Sequence, residues 1–437
     1  MPAVSSSPTP CLSSTPPAQP LTPAGEPTGD LIDHLATIDD PRAPRGRRYS
    51  LPTLLALAVC ALTSAGHDTT TAIIEWAHHA PRRVLLALGL PVCPFTQRIH
   101  IPDEHTLRNL LTRLDPAQLT RAGLVCLTTP TPPEDSSTRA PTGAPEREHR
   151  RAHRQHRHQP PFQTPRRTAY AADGKTQRGA RARKGQRSAS VVFHAARHHD
   201  AAVVACTQIP DKGAETGAFT TVFDQLDDDH LAGALITADA LHTVAAHATY
   251  LRKREAHYLI YVKGNRPTLH EQLAALPWDE VPLAHVEGPI HAHGREERRS
   301  AKVTAVNGLA FPGACQVVRI ERYRRRHGTI KGSREVVFAV TDLDAHQVSP
   351  EELAAHARGH WTVENRVHHV RDVTFKEDAR RTRTGAAPVV LGCVTDIVRQ
   401  ALTAAGWKNL AAGRRAHANP DKVLELHGIT RDQPVWI

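Results

Sequence analysis

The sequence predicts a mixed α/β protein in which an all-helical segment precedes a sheet-forming segment. From residue 29 to about 127, apolar residues recur at helical spacing. After residue 168, short β-rich stretches come first and then alternate with helices. Two aspartates stand at the ends of predicted strands, and a glutamate lies on a later predicted helix. These observations favour an α/β core with one acidic centre.

The composition favours a polyanionic partner. The 437 residues contain 55 lysines and arginines against 44 aspartates and glutamates, which gives a formal net charge of +11. This balance favours nucleic acid over a membrane surface, and the apolar run 54–62 is too short to span a bilayer. The first residues lack a secretory-signal pattern, so we expect a cytoplasmic protein. The seven cysteines form no CxxC pair, which argues against a disulfide framework and a cysteine zinc site.

The N-terminal part divides into three segments. Residues 1–28 are mostly proline, serine and threonine, so we expect a disordered tail. Residues 29–127, with LPTLLALAVCAL, TTTAIIEWAHHA and HTLRNLLTRL, predict a small all-α domain that we consider for DNA binding. Residues 128–167 are rich in proline, histidine and arginine, which predicts an extended linker. The linker histidines are metal-ligand residues, but their irregular spacing favours a solvated basic tether.

Strands and helices follow the linker in a definite order. Three consecutive strands are predicted first, at TAYAAD, SASVVFHAAR and AAVVACTQI. Helices then alternate with strands, in the order AETGAFTTVFDQL (helix), GALITADAL (strand), HTVAAHATYLRKREA (helix) and HYLIYVKG (strand). This order is that of a ribonuclease-H-like α/β sheet. β-like spacing at about 277–345 predicts a β-rich insertion. We therefore assign residues 168–412 to a ribonuclease-H-like core and residues 413–437 to a C-terminal tail.

Two carboxylates should meet at one edge of this sheet. Asp173 ends the first predicted strand and Asp239 ends the later predicted strand ALITADAL, and a ribonuclease-H-like sheet would place these strands side by side. Two close carboxylates repel each other unless a cation lies between them, and hard divalent ions prefer oxygen ligands. The pattern therefore predicts a site for magnesium, with manganese as the alternative. Two ions would activate the attacking oxygen and stabilise the leaving oxygen.

The third carboxylate is predicted on the helix SPEELAAHARGHWTVENRVHHV. Ser349 and Glu352 have the spacing of a capping box, and Pro350 suits the first helical position. With 100° per residue, valines 363, 367 and 370 form an apolar stripe, and Glu364 lies on a second face about a quarter turn away. The sequence therefore predicts Asp173, Asp239 and Glu364 as catalytic metal ligands.

Basic, polar and aromatic residues near these positions are candidates for DNA contact. Lys263, Asn265 and Arg266 follow a strand in a predicted loop, where solvated turn residues are the alternative. For Trp361, core packing is favoured over stacking on a base. For Asp372, Glu377 and Asp378, a salt-bridged loop with nearby arginines is favoured slightly over a metal role. The full predicted set is Lys175, Arg178, His242, Lys263, Asn265, Arg266, His293, Arg295, Arg358, His360, Trp361, His368 and Arg371.

A family resemblance rests on consecutive blocks of sequence. AADGKTQRGA, ITADALHT, YLIYVKGNRPTL, HGREERR and RGHWTVENRVHHVRDVTFKEDARR resemble, in order and spacing, the H-repeat-associated (ISAs-type) group of bacterial insertion-sequence transposases. IDDPRAPRGRRYSLPTLLALAVCAL resembles the helical segment that precedes the core in this group. The resemblance implies a DDE triad at Asp173, Asp239 and Glu364, with a β-rich insertion between the last two. It also implies metal-dependent DNA cleavage and strand transfer at element ends, by a homodimer in a synaptic complex.

The partners expected from this resemblance are double-stranded DNA, as terminal inverted repeats and target DNA, in the bacterial cytoplasm at the nucleoid and not at a membrane. Two other interpretations remain open at this point. A metal-dependent nuclease on the same core would need the same three carboxylates. A catalytically inactive, transposase-derived DNA-binding protein would not need them, so their presence counts against it. Inverted repeats that flank the gene would favour mobility.

Overall fold

The computed structural model describes residues 30–128, 167–180, 190–292, 294–431 and 435–436 of the chain. The predicted tail at 1–28, nearly all of the predicted linker with its histidines, and His293 lie outside the described residues.

Helices and strands within the described residues follow the predicted division. The helices are α1 (Leu31–Leu35), α2 (Leu51–Thr63), α3 (Thr70–His79), α4 (Arg82–Ala87), α5 (Glu104–Leu111), α6 (Pro116–Thr128), α7 (Glu215–Phe223), α8 (Asp228–Leu231), α9 (Ala245–Lys253), α10 (Pro267–Ala274), α11 (Pro350–Gly359), α12 (His369–Val373), α13 (Ala387–Ala404), α14 (Leu410–Ala416) and α15 (Pro420–Leu426). The strands are β1 (Pro91–Val92), β2 (Ala169–Thr176), β3 (Val191–Arg197), β4 (Val203–Ile209), β5 (Leu235–Ala238), β6 (His257–Val262), β7 (Leu283–Ala292), β8 (Arg295–Ala305), β9 (Gln316–Arg326), β10 (Ser333–Thr341) and β11 (Val435–Trp436).

A nine-stranded sheet runs through the molecule in the order β4-β3-β2-β5-β6-β10-β9-β8-β7. β2 pairs antiparallel with β3 and parallel with β5, and β5 pairs parallel with β6. This large sheet with its helices confirms the predicted mixed α/β class. The strands β2 and β5 are neighbours, as the sequence analysis requires for the two aspartates to meet.

The strands β7 to β10 arise from the region predicted to be β-rich. They do not form a separate sheet, because β10 pairs antiparallel with β6 over four residue pairs, from Phe338 with Val262 to Thr341 with Leu259. The sheet therefore continues from the core into these strands. α11 then returns across β7, β8 and β9, so the helix that leads to Glu364 lies over them.

The N-terminal helices do not enclose a core of their own. Buried residues of α1 to α6 belong to one hydrophobic cluster with buried residues of β3, the Glu364 segment, α13 and α15. α6 lies so close to α13 that a Cβ at position 123 would overlap Ile397, so a glycine is required there. A separate all-α domain is therefore not confirmed. The predicted C-terminal tail is wrong, since α14 and α15 are helical and contribute to this cluster.

Helix α13 is the central helix of that shared core. Among the described residues it is the one helix long and apolar enough to cross a membrane, and 89% of its span is buried inside the protein. The sequence analysis considered only the shorter run that became α2. Burial between the N-terminal helices and the sheet accounts for the apolar character of α13, because a helix that is apolar all round is buried.

Candidate active site

Asp173 and Asp239 lie on neighbouring strands at one edge of the sheet. β2 pairs in parallel with β5, and the last pair is Ala172 with Ala238. Asp173 and Asp239 are the next residues along the chain, so the two positions follow the last paired residues of adjacent strands. β2 continues beyond Asp173 to Thr176 through its pairing with β3, so the predicted strand end is three residues early. Asp239 caps the following 3₁₀ turn.

Glu364 comes from a π-helical segment, Val363–His368, between α11 and α12. The sequence analysis assumed a continuous α-helix, and this is wrong, because one wider turn separates the two helices. Ser349 caps α11 by accepting the N–H of Glu352 at 3.2 Å, whereas the Glu352 carboxyl lies 3.6 Å from His356. The wider turn places the face of the helix that carries Glu364 towards β2.

The structure brings Asp173, Glu364 and His368 together. One ligand atom of each residue lies within 4.8 Å of the ligand atoms of the other two. Asp239 is outside this set of atoms, within the part of the chain that the structure describes, but its charge acts on Asp173 from the adjacent strand. Asp173 therefore has Glu364 close to it and also experiences the charge of Asp239.

The carboxyl groups have different electrostatic environments. Burial raises the pKa of Asp173; the His368 side chain opposes this shift and the Asp239 charge adds to it. Glu364 is more than half exposed, and a hydrogen bond from His368 lowers its pKa. A divalent cation beside Asp173 would offset both the lost solvation and the repulsion from Asp239. The donor set and its electrostatics thus fit a hard divalent metal.

Glu215, a fourth carboxylate beside the site, was missed by the sequence analysis. It is the first residue of α7, it is 1% exposed, and its Oε1 has no hydrogen-bond partner among the residues that the structure describes. Its carboxyl lies over Gly174, where a Cβ would overlap Oε1. Burial raises its pKa to about 7; Lys212 opposes the shift, and Asp173 and Asp239 add to it. An acidic residue in a first helical turn is ordinary, so no local pattern indicated this burial.

Two predicted DNA contacts are wrong because the side chains are buried in ion pairs. Lys175 is 5% exposed and its ammonium contacts both carboxylate oxygens of Asp372 at 2.7 Å. Arg371 is 1% exposed and lies 2.6 Å from Glu377 and 3.3 Å from Asp396. The loop after Glu364 is therefore salt-bridged, which agrees with the favoured interpretation. Asp372 pairs with Lys175 and Glu377 pairs with Arg371, and not with the arginines that follow them in the sequence.

Two predicted histidine contacts are also wrong. His242 is 1% exposed and packs its ring against Phe193 and Phe219, and burial lowers its pKa to about 3. His360 is 5% exposed, and its Nδ1 lies 3.3 Å from Thr237 Oγ1 beneath the sheet. Neither ring can reach a duplex at the surface. His368, the third predicted histidine, is buried too but lies within the acidic site.

The loop after β6 supports the Asp239 turn. Asn265 donates from Nδ2 to the carbonyl of Ala240 at 2.6 Å, and Arg266 donates from Nε to the carbonyl of Thr243 at 2.7 Å. Lys263 in the same loop is exposed. This loop therefore holds the turn that Asp239 begins, and Lys263 is exposed beside that turn.

The remaining candidates lie at the surface, several in ion pairs. Arg178 is 73% exposed, 3.8 Å from Asp378, and Arg295 is 45% exposed, 3.7 Å from Glu297. Arg358 pairs with Glu287. Trp361 is 47% exposed, which does not support the packing interpretation.

A cavity of about 260 Å³ opens beside Asp239 between α11 and strands β7 to β10. Its walls include Tyr261, Lys263, Arg322, Arg324, Arg358 and Trp361. The cavity therefore joins the acidic edge of the sheet to a basic and aromatic surface.

Comparisons with known proteins show which sequences this chain is similar to. Residues 161–390 match the model of the transposase DDE domain, and residues 32–124 match the model of a region associated with that domain. The Escherichia coli K12 proteins YbfL and YhhI, the second named as an H repeat-associated candidate transposase, are each 26% identical over 247 residues, or 53% of this chain. YncI of E. coli O157:H7, named as a candidate transposase, is 28% identical over 244 residues, or 51% of this chain.

The matched region spans 63% of YbfL and of YhhI and 58% of YncI, which is less than two thirds of each relative. Among solved structures, the piggyBac transposase synaptic complex with hairpin DNA is similar with a TM-score of 0.42 and 10% identity, over 92% of this chain and 78% of that chain. A similarity of this size does not by itself establish a common mechanism.

Proposed function

Because the chain belongs to the family of the transposase DDE domain, we propose that it is a transposase that cleaves DNA at element ends and joins it to a target. Asp173, Asp239 and Glu364 are its catalytic carboxylates. The observation that carries this proposal is the convergence of Asp173 and Glu364, whose oxygens lie within 4.8 Å although the residues are far apart in sequence. Asp239, on the strand beside Asp173, supplies the third carboxylate.

The site is proposed to hold Mg²⁺, with Mn²⁺ as the alternative, as two ions. Family membership implies a divalent metal, and Asp173, Asp239 and Glu364 are the residues that would hold it. Such ions activate an attacking water or 3′-hydroxyl and stabilise the leaving oxygen. Asp173 lies close to Glu364 and interacts electrostatically with Asp239, which supports its role as the ligand shared by the two ions. The raised pKa of Asp173, caused mainly by burial, supports a cation there.

We assign the segment 168–412 to a ribonuclease-H-like core with an insertion at about 277–345, and the helices of 29–127 to an associated region. The order and directions of β2 to β6 support this assignment.

DNA is proposed to lie across the edge of the sheet that carries the carboxylates. Lys263 and Arg178 are exposed, and the cavity that Asp239 and Lys263 line extends towards Arg322 and Arg324. The partners are terminal inverted repeats and target DNA, bound by a homodimer in a synaptic complex at the bacterial nucleoid. The N-terminal helices are the candidate for reading the repeat sequence.

Cleavage of an end-labelled duplex from the element terminus, with Mg²⁺, Mn²⁺ or EDTA, tests the proposal. We expect cleavage only with metal. Glu364→Gln should lower the cleavage rate by about two orders of magnitude, because losing a metal ligand should cost at least as much as losing a residue that only supports a ligand. Duplex binding should stay nearly unchanged. Glu351→Gln is the matched control, since it makes the same change at an exposed position on α11. Equal cleavage by the Glu364 variant and the wild type would refute the assignment.

The same assay separates the competing functions. Covalent joining of the cut end to target DNA identifies a transposase, whereas cleavage without joining identifies a nuclease. Binding without cleavage in either metal would favour an inactive DNA-binding protein.

A further inference from the structure

A line of three buried side chains leads from the interior to Glu364. Arg371 Nη1 lies 2.8 Å from His194 Nε2, His194 Nδ1 lies 3.3 Å from His368 Nε2, and His368 Nδ1 lies 3.2 Å from Glu364 Oε2. The exposed fractions of Arg371, His194 and His368 are 1%, 1% and 4%. Each histidine nitrogen therefore has a protein partner.

The direction of every hydrogen bond in this line is set by Arg371. A guanidinium has only donors, so His194 Nε2 must accept and His194 must carry its proton on Nδ1. That proton is donated to His368, whose Nε2 must accept in turn. His368 then carries its own proton on Nδ1 and donates it to Glu364. No other arrangement satisfies the four groups.

Arg371 is itself held in place from two sides. Its Nε donates to Glu377 at 2.6 Å and its Nη1 to Asp396 at 3.3 Å, and these acids lie beyond α12 and on α13. The guanidinium therefore cannot turn away from His194 without leaving a buried carboxylate unpaired, which is costly. The donor that begins the line is thus fixed by the packing of two other elements.

We propose that His368, backed by His194, is a positioning residue that orients the Glu364 carboxylate by donating a hydrogen bond, and that it is not a metal ligand. This inference rests on the proposed function for Glu364 as a ligand. The Nδ1 of His368 lies within 4.8 Å of the Asp173 and Glu364 oxygens, but a protonated nitrogen has no lone pair to offer a cation. Its other nitrogen faces His194.

The consequence is an all-oxygen donor set. Nitrogen ligands favour transition metals, whereas carboxylates alone favour magnesium and manganese. The hydrogen bonds that begin at Arg371 keep the lone pair of His368 on Nε2, which faces His194. His368 therefore cannot offer a nitrogen ligand to a metal ion, although it lies close enough to do so. The selectivity of the site for hard cations would then depend on Arg371 and His194, neither of which touches the cation.

Nitrogen NMR of the full chain labelled with ¹⁵N-histidine tests the tautomers directly. His368→Asn identifies the His368 signals by their loss, and His369→Asn, the same change at the exposed neighbour, is the matched control. In the metal-free protein we expect His368 to be protonated at Nδ1 and unprotonated at Nε2. Addition of Zn²⁺, a diamagnetic ion that favours imidazole ligands, should leave the His368 nitrogens free of coordination shifts. A His368 that carries its proton on Nε2, or that coordinates Zn²⁺, would overturn the proposal.

Calorimetric titration of metal binding supplies the second readout. An asparagine amide can donate in place of the imidazole Nδ1–H, so His368→Asn should keep Mg²⁺ affinity within about threefold of the wild type. Leucine cannot donate, so His368→Leu should lower Mg²⁺ affinity by about tenfold, as expected when a residue that supports a metal ligand is lost. If both variants lose the same Mg²⁺ affinity, and both lose still more Co²⁺ affinity, His368 is a metal ligand and the inference is refuted. If the wild type binds no divalent metal at all, the proposed function fails, and the tautomers measured by NMR still decide whether His368 donates to Glu364.

Discussion

Replacing Glu215 by glutamine should stabilise the metal-free protein at alkaline pH. Glu215 is 1% exposed, its Oε1 accepts no hydrogen bond within the described part of the chain, and the charges of Asp173 and Asp239 act on it. Its pKa is raised from 4.5 to about 7, mainly by burial. Below pH 4.5 the carboxyl is neutral in both the folded and the unfolded chain, so it makes no difference to stability there.

The sign and size follow from this shift. Between pH 4.5 and 7 only the unfolded chain ionises, so the folded state loses stability as the pH rises, and the loss is complete above pH 7. A shift from 4.5 to about 7 corresponds to roughly 3 kcal/mol. Relaxation of the protein and water penetration around the ionised carboxylate reduce this penalty and leave on the order of 1–2 kcal/mol. Glutamine removes the destabilisation that the ionised Glu215 carboxylate causes. Its removal should raise the melting temperature by about 2 °C for a protein of this size.

The assay is thermal and urea unfolding in EDTA at pH 5 and pH 8. Glu215→Gln should exceed the wild type in stability at pH 8, and the difference should shrink strongly at pH 5. Glu351→Gln, an exposed change in the first turn of another helix, should show no pH-dependent difference. Mg²⁺ at pH 8 should restore more stability to the wild type than to the Glu215 variant. A Glu215 variant that is less stable at pH 8, or equally altered at both pH values, would refute the reasoning.

Three other perturbations test the surface and the core. Lys263→Ala should flatten the slope of log K against log salt for duplex binding by about one unit, because one counterion fewer is released. Lys408→Ala, a change at an exposed position after the end of α13, should leave the slope unchanged. Equal slopes for the Lys263 variant and the wild type would show that DNA lies elsewhere. Arg414→Met should cost about 3–5 kcal/mol in urea unfolding, because it leaves Asp68, 2.7 Å away and buried, without its partner; a change below about 1 kcal/mol would contradict this, since breaking a buried ion pair costs more. Cleavage at a protease site inserted within 128–167 should leave two fragments that co-elute in size-exclusion chromatography, since α2 and α6 pack against α13; separate elution would refute the shared core.

The sheet edge could be predicted from sequence because its signals are local. Asp173 and Asp239 each follow a run of buried strand residues, and parallel strands that pair must bring such residues to one edge. The β-rich character of the strands before α11 was also local. The pairing of β10 with β6 was not predictable, because it depends on which sheet edge remained free when the strands assembled.

Charged residues were predicted poorly because their partners are distant in sequence. Lys175 and Arg371 look like surface cations in the sequence. Only the folded chain places Asp372 beside Lys175, and only the folded chain adds Asp396 to the nearby Glu377 around Arg371. The burial of Glu215 on α7 depends on a glycine at position 174 of β2. The π-helical turn at Glu364 likewise has no marker in the helical pattern, since a one-residue widening leaves the composition unchanged.

The shared core of the N-terminal helices has a consequence for the order of events during synthesis. A domain that completes its own core can fold while the ribosome is still translating the rest. Helices α1 to α6 cannot do so, because the partner that covers α2 and α6 is α13, which is made only after the whole sheet. Their apolar faces must remain uncovered, or covered by a chaperone, until residues 387–404 leave the exit tunnel. Folding of this chain should therefore be late and slow, as expected where contacts join distant segments, and a polypeptide released before α13 should aggregate.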